Sequence, residues 1–461
     1  MSDAAQRALA SICSAADWTP SQNDLVIRDG AAGVAGDVPV SDMAAAAYGA
    51  LALAAADLHE ARGGPRLTPF VDRCHAGVAL TGNDYVRIDG QTPDKWGQVT
   101  GYFRCKDGAY IYCHGQFPHL KKGLLDLFGV EEDRAAMTRA IAEWTSDAAE
   151  AEGQRRGLCV LKVRDRETWQ AHEQAAALAR KSLVELTAAG KAKPLPACGA
   201  RPLSGIRVLD LSRVIAGPMA GRALAELGAD VIRISAPDLP NLEALVIDTG
   251  FGKRAAFADL KTEAGLAALQ DLIRGADMLI DGFRPGALAA RGLSVEAMMR
   301  LNPALTIIDL SAFSNVGPWA GRRGYDSYVQ AGIGLTSPKV KGDPPGRLST
   351  QPLDYFAGAL CAFGGVLSLF GRPGRGPLHV EMSLARTGMW VWEMIDALPT
   401  EPHPPEENLS FEALDAAGLI RRMDSDFGEV QALAAPYGFD GKIIEWTGPP
   451  RRLGSSPPEW L

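Results

Sequence analysis

Residues 206–234 have the sequence IRVLDLSRVIAGPMAGRALAELGADVIRI, and this stretch decides the predicted fold. Its first part, residues 206–212, is apolar and β-branched, which is typical of a buried strand. Small residues then form a turn, an Ala/Leu-rich helix runs to Gly228, and residues 230–235 predict a second strand. Two strands joined by a helix usually pair in parallel, so the stretch predicts an α/β fold.

The same alternation continues downstream. The pattern predicts a helix at 262–276, a strand at 278–283, a helix at 293–303 and a strand at 304–313. Strands that alternate with helices indicate a parallel sheet whose two faces are covered. A long Ala/Gly/Leu-rich helix is predicted after this unit, at residues 352–371.

The composition of the 461-residue chain narrows the possible functions. Its net charge of −8 disfavours a nucleic-acid binder. The seven cysteines contain no CxxC pair, so we expect reduced thiols, no structural zinc and a cytoplasmic protein. The N-terminus lacks the basic and apolar blocks of a signal peptide. The GxGxxG, GxxxxGK[ST] and GxSxG motifs are also absent, and no residue cluster predicts a metal site.

The rest of the chain divides by composition and by a weak internal repeat. Residues 38–58 match residues 350–370, with Asp42 opposite Asp354, which favours a partial duplication. We expect five segments: 1–100, a degenerate repeat of the aspartate segment; 101–190, a small α+β domain; 191–203, a linker; 204–395, the large α/β domain; and 396–461, a C-terminal extended segment.

Several cations are predicted to lie near the strand ends of the large domain, where open α/β sheets bind ligands. Each could be an ordinary surface charge, but as a group they would suit a polyphosphate. The turn at 212–221 also offers helix N–H groups to an anion. The cations are Lys253, Arg254, Arg284, Arg291, Arg322 and Arg323.

Asp354 stands at the start of the helix predicted at 352–371. An aspartate there is commonly a residue that complements the helix dipole. A carboxylate that faces a cleft can instead attack an activated acyl group and form a covalent intermediate.

These residues together resemble the class III CoA-transferases, the CaiB/BaiF family that includes formyl-CoA and carnitine CoA-transferases. The resemblance starts at RPLSGIRVLDLSRVIAGPMAG and extends from residue 201 to about residue 390. It continues through GKRAAFADLKTEAG, DGFRPGALAARGLS and GPWAGRRGYDS, and ends with Asp354 and RGPLHVEMSLART. The small-domain segment DGAYIYC also looks like the family, although here it precedes the large domain.

The resemblance implies a Rossmann-like large domain, an interlocked homodimer, and acyl-CoA and carboxylic acid substrates. It implies that Asp354 carries the acyl group as a mixed anhydride and then CoA as a thioester. The residues that the resemblance or their strand-end position assigns to coenzyme A are Val214, Ala216, Lys253, Arg254, Phe283, Arg284, Arg291 and Arg323.

The sequence departs from the family in three places. Ser235 and Ala236 replace a usual acidic and basic pair, residues 88–101 lack a clear glycine-rich loop, and Tyr325 stands where racemases have a histidine. Two further hypotheses therefore stay open: a CoA-ester isomerase or lyase with Asp354 as a base, and a non-catalytic CoA-ester-binding paralogue. Asp42 also stays open as the functional carboxylate.

Overall fold

The computed structural model describes residues 3–21, 24–28, 33–93, 97–336, 344–399 and 405–461. The strands are β1 (Val26–Arg28), β2 (Pro69–Asp72), β3 (Arg87–Ile88), β4 (Gly101–Arg104), β5 (Tyr110–Cys113), β6 (Val160–Lys162), β7 (Glu185–Ala188), β8 (Arg207–Asp210), β9 (Asp230–Ser235), β10 (Lys253–Phe257), β11 (Met278–Asp281), β12 (Thr306–Ser311), β13 (Leu378–Ser383), β14 (Ile420–Ser425), β15 (Gly428–Leu433), β16 (Tyr437–Phe439) and β17 (Lys442–Ile443).

The helices pack on and between these strands. They are α1 (Asp3–Ala15), α2 (Val40–Ala61), α3 (Arg73–Ala79), α4 (Pro118–Phe128), α5 (Arg134–Ile141), α6 (Ser146–Arg155), α7 (Arg166–Gln170), α8 (Glu173–Leu178), α9 (Ala216–Glu226), α10 (Glu243–Asp248), α11 (Glu263–Gly275), α12 (Val295–Leu301), α13 (Asp326–Gly332), α14 (Pro352–Arg375), α15 (Leu384–Ala397) and α16 (Phe411–Ala416).

The central sheet confirms the predicted α/β fold. Its strands lie in the order β10-β9-β8-β11-β12-β13-β7, and all of them pair in parallel except β7. The apolar side chains of β8 and β11 are buried on both faces, as expected for a covered parallel sheet. The edge strand β7 comes from the segment that was assigned to the small domain, so that segment also contributes to the large sheet.

Helix α14 is the centre of the core. It is long and apolar enough to cross a membrane, but 94% of its apolar window is buried inside the protein. It packs against α9 on one side and α2 on the other. Its buried Arg372 donates to Asp277 at 2.7 Å, which satisfies a charge inside the core.

The two ends of the chain fold together, which corrects the expectation of an extended C-terminal segment. Strand β16 pairs with β2, and β15 pairs with β3, so residues from 396–461 complete sheets begun by residues from 1–100. These pairings join segments more than 300 positions apart, and local sequence patterns carry no signal for such contacts.

The small α+β unit contains the antiparallel strands β4, β5 and β6 with α4, α5 and α6 around them. Its β4–β5 hairpin turns at Lys106-Asp107-Gly108. The start of α4 lies beside the carboxyl ends of the large sheet, and Phe117 and His119 there line the cleft described below.

Gly358 permits the close contact between α14 and α9. A Cβ atom at this position would lie 2.8 Å from the Ala216 carbonyl oxygen and 2.8 Å from the Met219 Cβ atom. We therefore expect Gly358→Val to lower the free energy of unfolding by about 1–3 kcal/mol, because the crowded atoms are backbone and cannot rotate away. Urea unfolding measures this.

The matched control is Gly374→Ala near the end of the same helix, where an added Cβ would have no atom within 4 Å. It should leave the urea midpoint unchanged or raise it. Equal midpoints for Gly358→Val and the unmodified protein would contradict the tight contact.

Candidate active site

The turn between β8 and α9 forms one wall of the site. Val214 in this turn has a φ of +74°, an unusual conformation for a β-branched residue. A Cβ atom on Gly217 would lie 2.3 Å from the Ser212 Cβ atom, so only glycine allows the helix to start so close to the strand. Such strained backbone is common at functional sites. The first residues of α9, Ala216 and Gly217, line the cleft.

Asp354 lies in the first turn of α14, and only 5% of its surface is exposed. Its backbone N–H donates to a carboxylate oxygen of Asp326 at 2.9 Å, so the Asp326 carboxylate lies against the first turn of α14. Asp326 begins α13 and also accepts a hydrogen bond from Gln330.

Both carboxyl groups have a raised pKa, for partly different reasons. Burial, and then the charge of Asp326, raise the pKa of Asp354 well above its ordinary value. Burial also raises the pKa of Asp326 to about 6. Both carboxyl groups therefore bind a proton more tightly than an exposed aspartate does.

A cleft of about 460 Å³ opens next to Asp354. It runs across the carboxyl ends of β8, β11 and β12, where a parallel sheet normally binds its ligands. The predicted site residues that line it are Val214, Ala216, Phe283, Arg284, Arg323 and Asp354.

A smaller chamber of about 50 Å³ lies next to Asp354 and is lined by Asn83, His114, Tyr325 and Gln351. The rings of His114 and Tyr325 stack with their centroids 3.9 Å apart. Burial lowers the pKa of His114 to about 3, so this imidazole is neutral. Among the described residues, its Nδ1 atom is buried and has no hydrogen-bond partner.

A third cavity of about 150 Å³ adjoins the cleft at Phe283. Its walls are mainly apolar, and Lys261 and Arg291 stand at its rim. Arg291 donates to the Leu260 carbonyl at 2.7 Å. The structure thus places Arg291 in a neighbouring cavity and not in the cleft itself.

Two predicted ligand-binding cations lie elsewhere, which is a correction. Lys253 and Arg254 were expected in a loop, but they form the start of β10. Lys253 is 3% exposed, and its ammonium group donates to Asp210 at 2.8 Å and to the Pro218 carbonyl at 2.5 Å. Burial lowers the pKa of Lys253 to about 8. Its side chain supports the start of α9 from below and does not line the cleft.

Arg254 is engaged in a surface ion pair. It donates to both carboxylate oxygens of Asp230, at 2.8 and 2.9 Å, and to the Glu459 carbonyl. Arg254 thus joins the edge strand β10 to the start of β9 and to the C-terminal residues.

Asp42 occupies the position in α2 that Asp354 occupies in α14, but its surroundings differ. It is 3% exposed and forms a bidentate ion pair with Arg73, at 2.8 and 2.9 Å. It lines none of the cavities that surround Asp354. Between the two candidate carboxylates, the geometry therefore favours Asp354.

Some residues of the site were not selected from the sequence. His114 and Phe117 come from the small unit, and Asn83 comes from the N-terminal segment. These residues reach Asp354 only through the tertiary fold. No spacing in the sequence could therefore have indicated that they belong to the site. In the part of the chain that the structure describes, no group of three or more His, Cys, Asp or Glu side chains could hold a metal ion.

Residues 203–414 match the family model described as CoA-transferase family III. The chain is 38% identical over 206 residues to succinate–glutarate CoA-transferase of Agrobacterium fabrum, covering 40% of this chain and 51% of the relative. It is 29% identical to formyl-CoA:oxalate CoA-transferase of Streptomyces coelicolor, covering 45% of this chain and 55% of the relative.

A solved structure of a CaiB/BaiF family protein from Brucella suis is also similar, at 26% identity and a TM-score of 0.38. The match covers 50% of this chain and 65% of that one. The chain spans about half the length of the curated relatives that it matches.

Proposed function

We propose that the chain moves coenzyme A between an acyl-CoA and a carboxylic acid, with Asp354 as the nucleophile, because residues 203–414 match the model of CoA-transferase family III. The observation that carries the proposal is the position of Asp354, which begins a buried helix and lines the cleft at the sheet's carboxyl edge. The relatives' names describe CoA-transferases for several acids.

The first half-reaction would start when an Asp354 carboxylate oxygen attacks the thioester carbonyl. A C–O bond forms, the C–S bond breaks, and CoA leaves as a thiolate, which produces a mixed anhydride. The thiolate then attacks the Asp354 carbonyl, releases the first carboxylic acid and leaves CoA on Asp354 as a thioester.

The second half-reaction would run the same steps in reverse with a new acid. Its carboxylate attacks the aspartyl thioester and displaces CoA, and the thiolate then attacks the acyl carbonyl of the new anhydride. The products are the new acyl-CoA and free Asp354, so acyl activation is conserved. The free N–H groups at the start of α9 would stabilise the developing oxyanion.

Coenzyme A would lie along the cleft of about 460 Å³. Val214 and Ala216 would border the pantetheine arm, and Phe283 and Arg284 would border the nucleotide. Arg291 would face the nucleotide from the adjoining cavity. The homodimeric state and the cytoplasmic location stay proposals that rest on the family resemblance and on the cysteine pattern.

A partial duplication also stays a proposal. Its structural support is that α2 and α14 pack against each other and each has an aspartate in its first turn, Asp42 and Asp354.

The test of the proposed function is chemical trapping. The protein is incubated with acetyl-CoA, succinyl-CoA or glutaryl-CoA, treated with hydroxylamine, digested and examined by mass spectrometry. We expect a hydroxamate on the peptide that contains Asp354, because hydroxylamine cleaves an aspartyl anhydride or thioester. The peptide that contains Asp42 is the internal control and should stay unmodified, since Arg73 holds that carboxylate.

An unmodified Asp354 peptide with every thioester would contradict the transfer mechanism. A second candidate function is then favoured by the raised pKa of Asp354, which suits a general base. An isomerase or lyase of this kind would exchange the α-hydrogen of the acyl group with D₂O, and would do so without a trapped peptide.

A further inference from the structure

Four acidic side chains lie in one row across the central sheet. Asp281 at the end of β11 pairs in register with Asp309 of β12, Asp309 pairs with Glu381 of β13, and Glu381 pairs with Glu185 of β7. Residues paired in this way project from the same face of a sheet, on strands about 5 Å apart. All four line a cavity of about 220 Å³ that the proposed transfer reaction does not use.

The acids of this row differ in their partners. Asp309 accepts a hydrogen bond from the Nε2 atom of His379 at 2.7 Å. A carboxylate oxygen of Glu381 lies 3.5 Å from the ammonium group of Lys181. Among the described residues, Asp281 forms no ion pair, so its charge is opposed by Asp309 and is not balanced by a cation of its own.

Asp281 therefore changes its charge near neutral pH. Burial, and then the negative charge of Asp309, raise the pKa of Asp281 to about 7. Burial opposes the charge of His379, but its hydrogen bond to Asp309 outweighs burial and raises the pKa of His379. The charged groups that face the row from the surrounding elements are Lys181, Glu185, Glu296, Asp309, His379, Glu381 and Arg386.

Asp281 also holds the loop that borders the cleft. Its carboxylate accepts a hydrogen bond from the backbone N–H of Phe283 at 2.8 Å. Phe283 lines both the cleft next to Asp354 and the acidic cavity, while the other residues of the loop at 282–286 are exposed. An ionised carboxylate accepts a stronger hydrogen bond than a neutral carboxyl group does. The charge of Asp281 is therefore placed to decide how firmly Phe283 is held.

We propose that Asp281 is a positioning residue that makes the affinity for coenzyme A rise with pH. When ionised, it holds Phe283 at the cleft, and when protonated, it releases the loop. A loop that is fixed in its binding shape raises the apparent affinity, because less of the protein is in a state that cannot bind. The inference rests on the proposed binding of coenzyme A in the cleft, and it adds control by pH.

The test is calorimetric titration with coenzyme A at pH 6 and pH 8. Asp281→Asn keeps the shape and the acceptor oxygen of the side chain but does not ionise. We expect both proteins to bind nearly equally at pH 6, and the unmodified protein to bind about fivefold more tightly than the variant at pH 8. The 3′-phosphate of coenzyme A titrates in the same range for both proteins, so comparing them at each pH removes its effect.

Two further variants should move the midpoint of the pH dependence in opposite directions. Asp309→Asn removes the like charge beside Asp281, so the midpoint should fall to a lower pH. His379→Gln removes the cation that pairs with Asp309, so the midpoint should rise. Asp271→Asn is the matched control, because Asp271 is exposed on α11 and pairs with Arg274. Its midpoint should equal that of the unmodified protein.

The inference is overturned when Asp281→Asn binds coenzyme A as tightly as the unmodified protein at pH 8. It is also overturned when Asp281→Asn weakens binding equally at both pH values, since a purely structural role gives that result. A midpoint that stays in place, or moves the same way, in Asp309→Asn and His379→Gln would overturn it as well.

Failure of the proposed function gives a different result. In that case coenzyme A binds with the pH dependence set by Asp281, but hydroxylamine traps no Asp354 peptide. When the Asp354 peptide is trapped and the affinity for coenzyme A does not depend on Asp281, transfer stands and the control by pH does not.

Discussion

Replacing Asp354 by Asn is expected to lower the rate of CoA transfer by about a thousandfold or more, because the amide cannot form the anhydride and thioester intermediates. The substitution keeps the size of the side chain and the N–H contact of residue 354 with Asp326. The measurement is chromatographic, following exchange of CoA between succinyl-CoA and glutarate. A variant that retains more than a tenth of the activity would exclude Asp354 as the nucleophile.

The same variant tests whether loss of activity reflects unfolding. Because burial raises the pKa of Asp354 in the folded protein, the folded state binds a proton that the unfolded state releases at a lower pH. The stability of the unmodified protein should then fall as the pH rises through the raised pKa. Asparagine carries no charge, so Asp354→Asn should escape that loss.

We therefore expect the variant and the unmodified protein to melt at similar temperatures only near pH 4, close to the ordinary pKa of an aspartate. At pH 8 the variant should melt at a higher temperature than the unmodified protein. Its free energy of unfolding should be greater by roughly 1 kcal/mol for each unit by which the pKa of Asp354 is raised. Calorimetry at the two pH values measures the difference. A variant less stable than the unmodified protein at pH 8 would mean that the carboxylate makes a favourable contact in the folded state.

The central sheet could be predicted because its signals are local. The runs around β8, β9, β11 and β12 are apolar and are separated by helices of regular period, which is enough to indicate a parallel sheet. Asp354 could also be selected, but only as one of two equivalent helix-start carboxylates. The ion pair of Asp42 with Arg73 separates them, and that contact is not visible in the sequence.

The remaining features depend on contacts between distant segments. Lys253 lies in a stretch whose composition is typical of an anion-binding loop. Its ammonium group nevertheless forms an ion pair with the buried carboxylate of Asp210. Arg213 belongs to a turn that was identified from the sequence. Whether its guanidinium group has a carboxylate or a carbonyl as partner shows only when its neighbours in the fold are known. Partner choice among charges is decided by the three-dimensional arrangement, so residue type alone assigned Lys253 incorrectly.

The second large effect is expected at Arg222, which lies on α9 in the interior. Its guanidinium group donates to Glu226 at 2.9 Å and to the carboxylate of Asp248 at 2.9 Å. It also donates to the carbonyl oxygens of Asp248 and Leu433. Arg222 thus connects α9, α10 and β15, and both of its acidic partners are buried.

We expect Arg222→Met to lower the free energy of unfolding by about 3–5 kcal/mol, because it leaves two buried carboxylates without a counter-charge. Methionine fills much of the same volume beside the stacked rings of Phe251 and Trp446, so the loss reports charge rather than a cavity. The urea midpoint measures it. Arg155→Met removes an exposed arginine that pairs with Glu152, and its midpoint should not change.

A triple variant separates charge from packing. Combining Arg222→Met with Glu226→Gln and Asp248→Asn removes all three charges and keeps the shapes of the side chains. Because the main cost in the single variant is the unpaired carboxylates, the triple variant should recover most of the lost stability. A triple variant that is less stable than Arg222→Met alone would show that the hydrogen bonds of Glu226 and Asp248 to Tyr437, Trp446 and Tyr355 matter more than the buried charge.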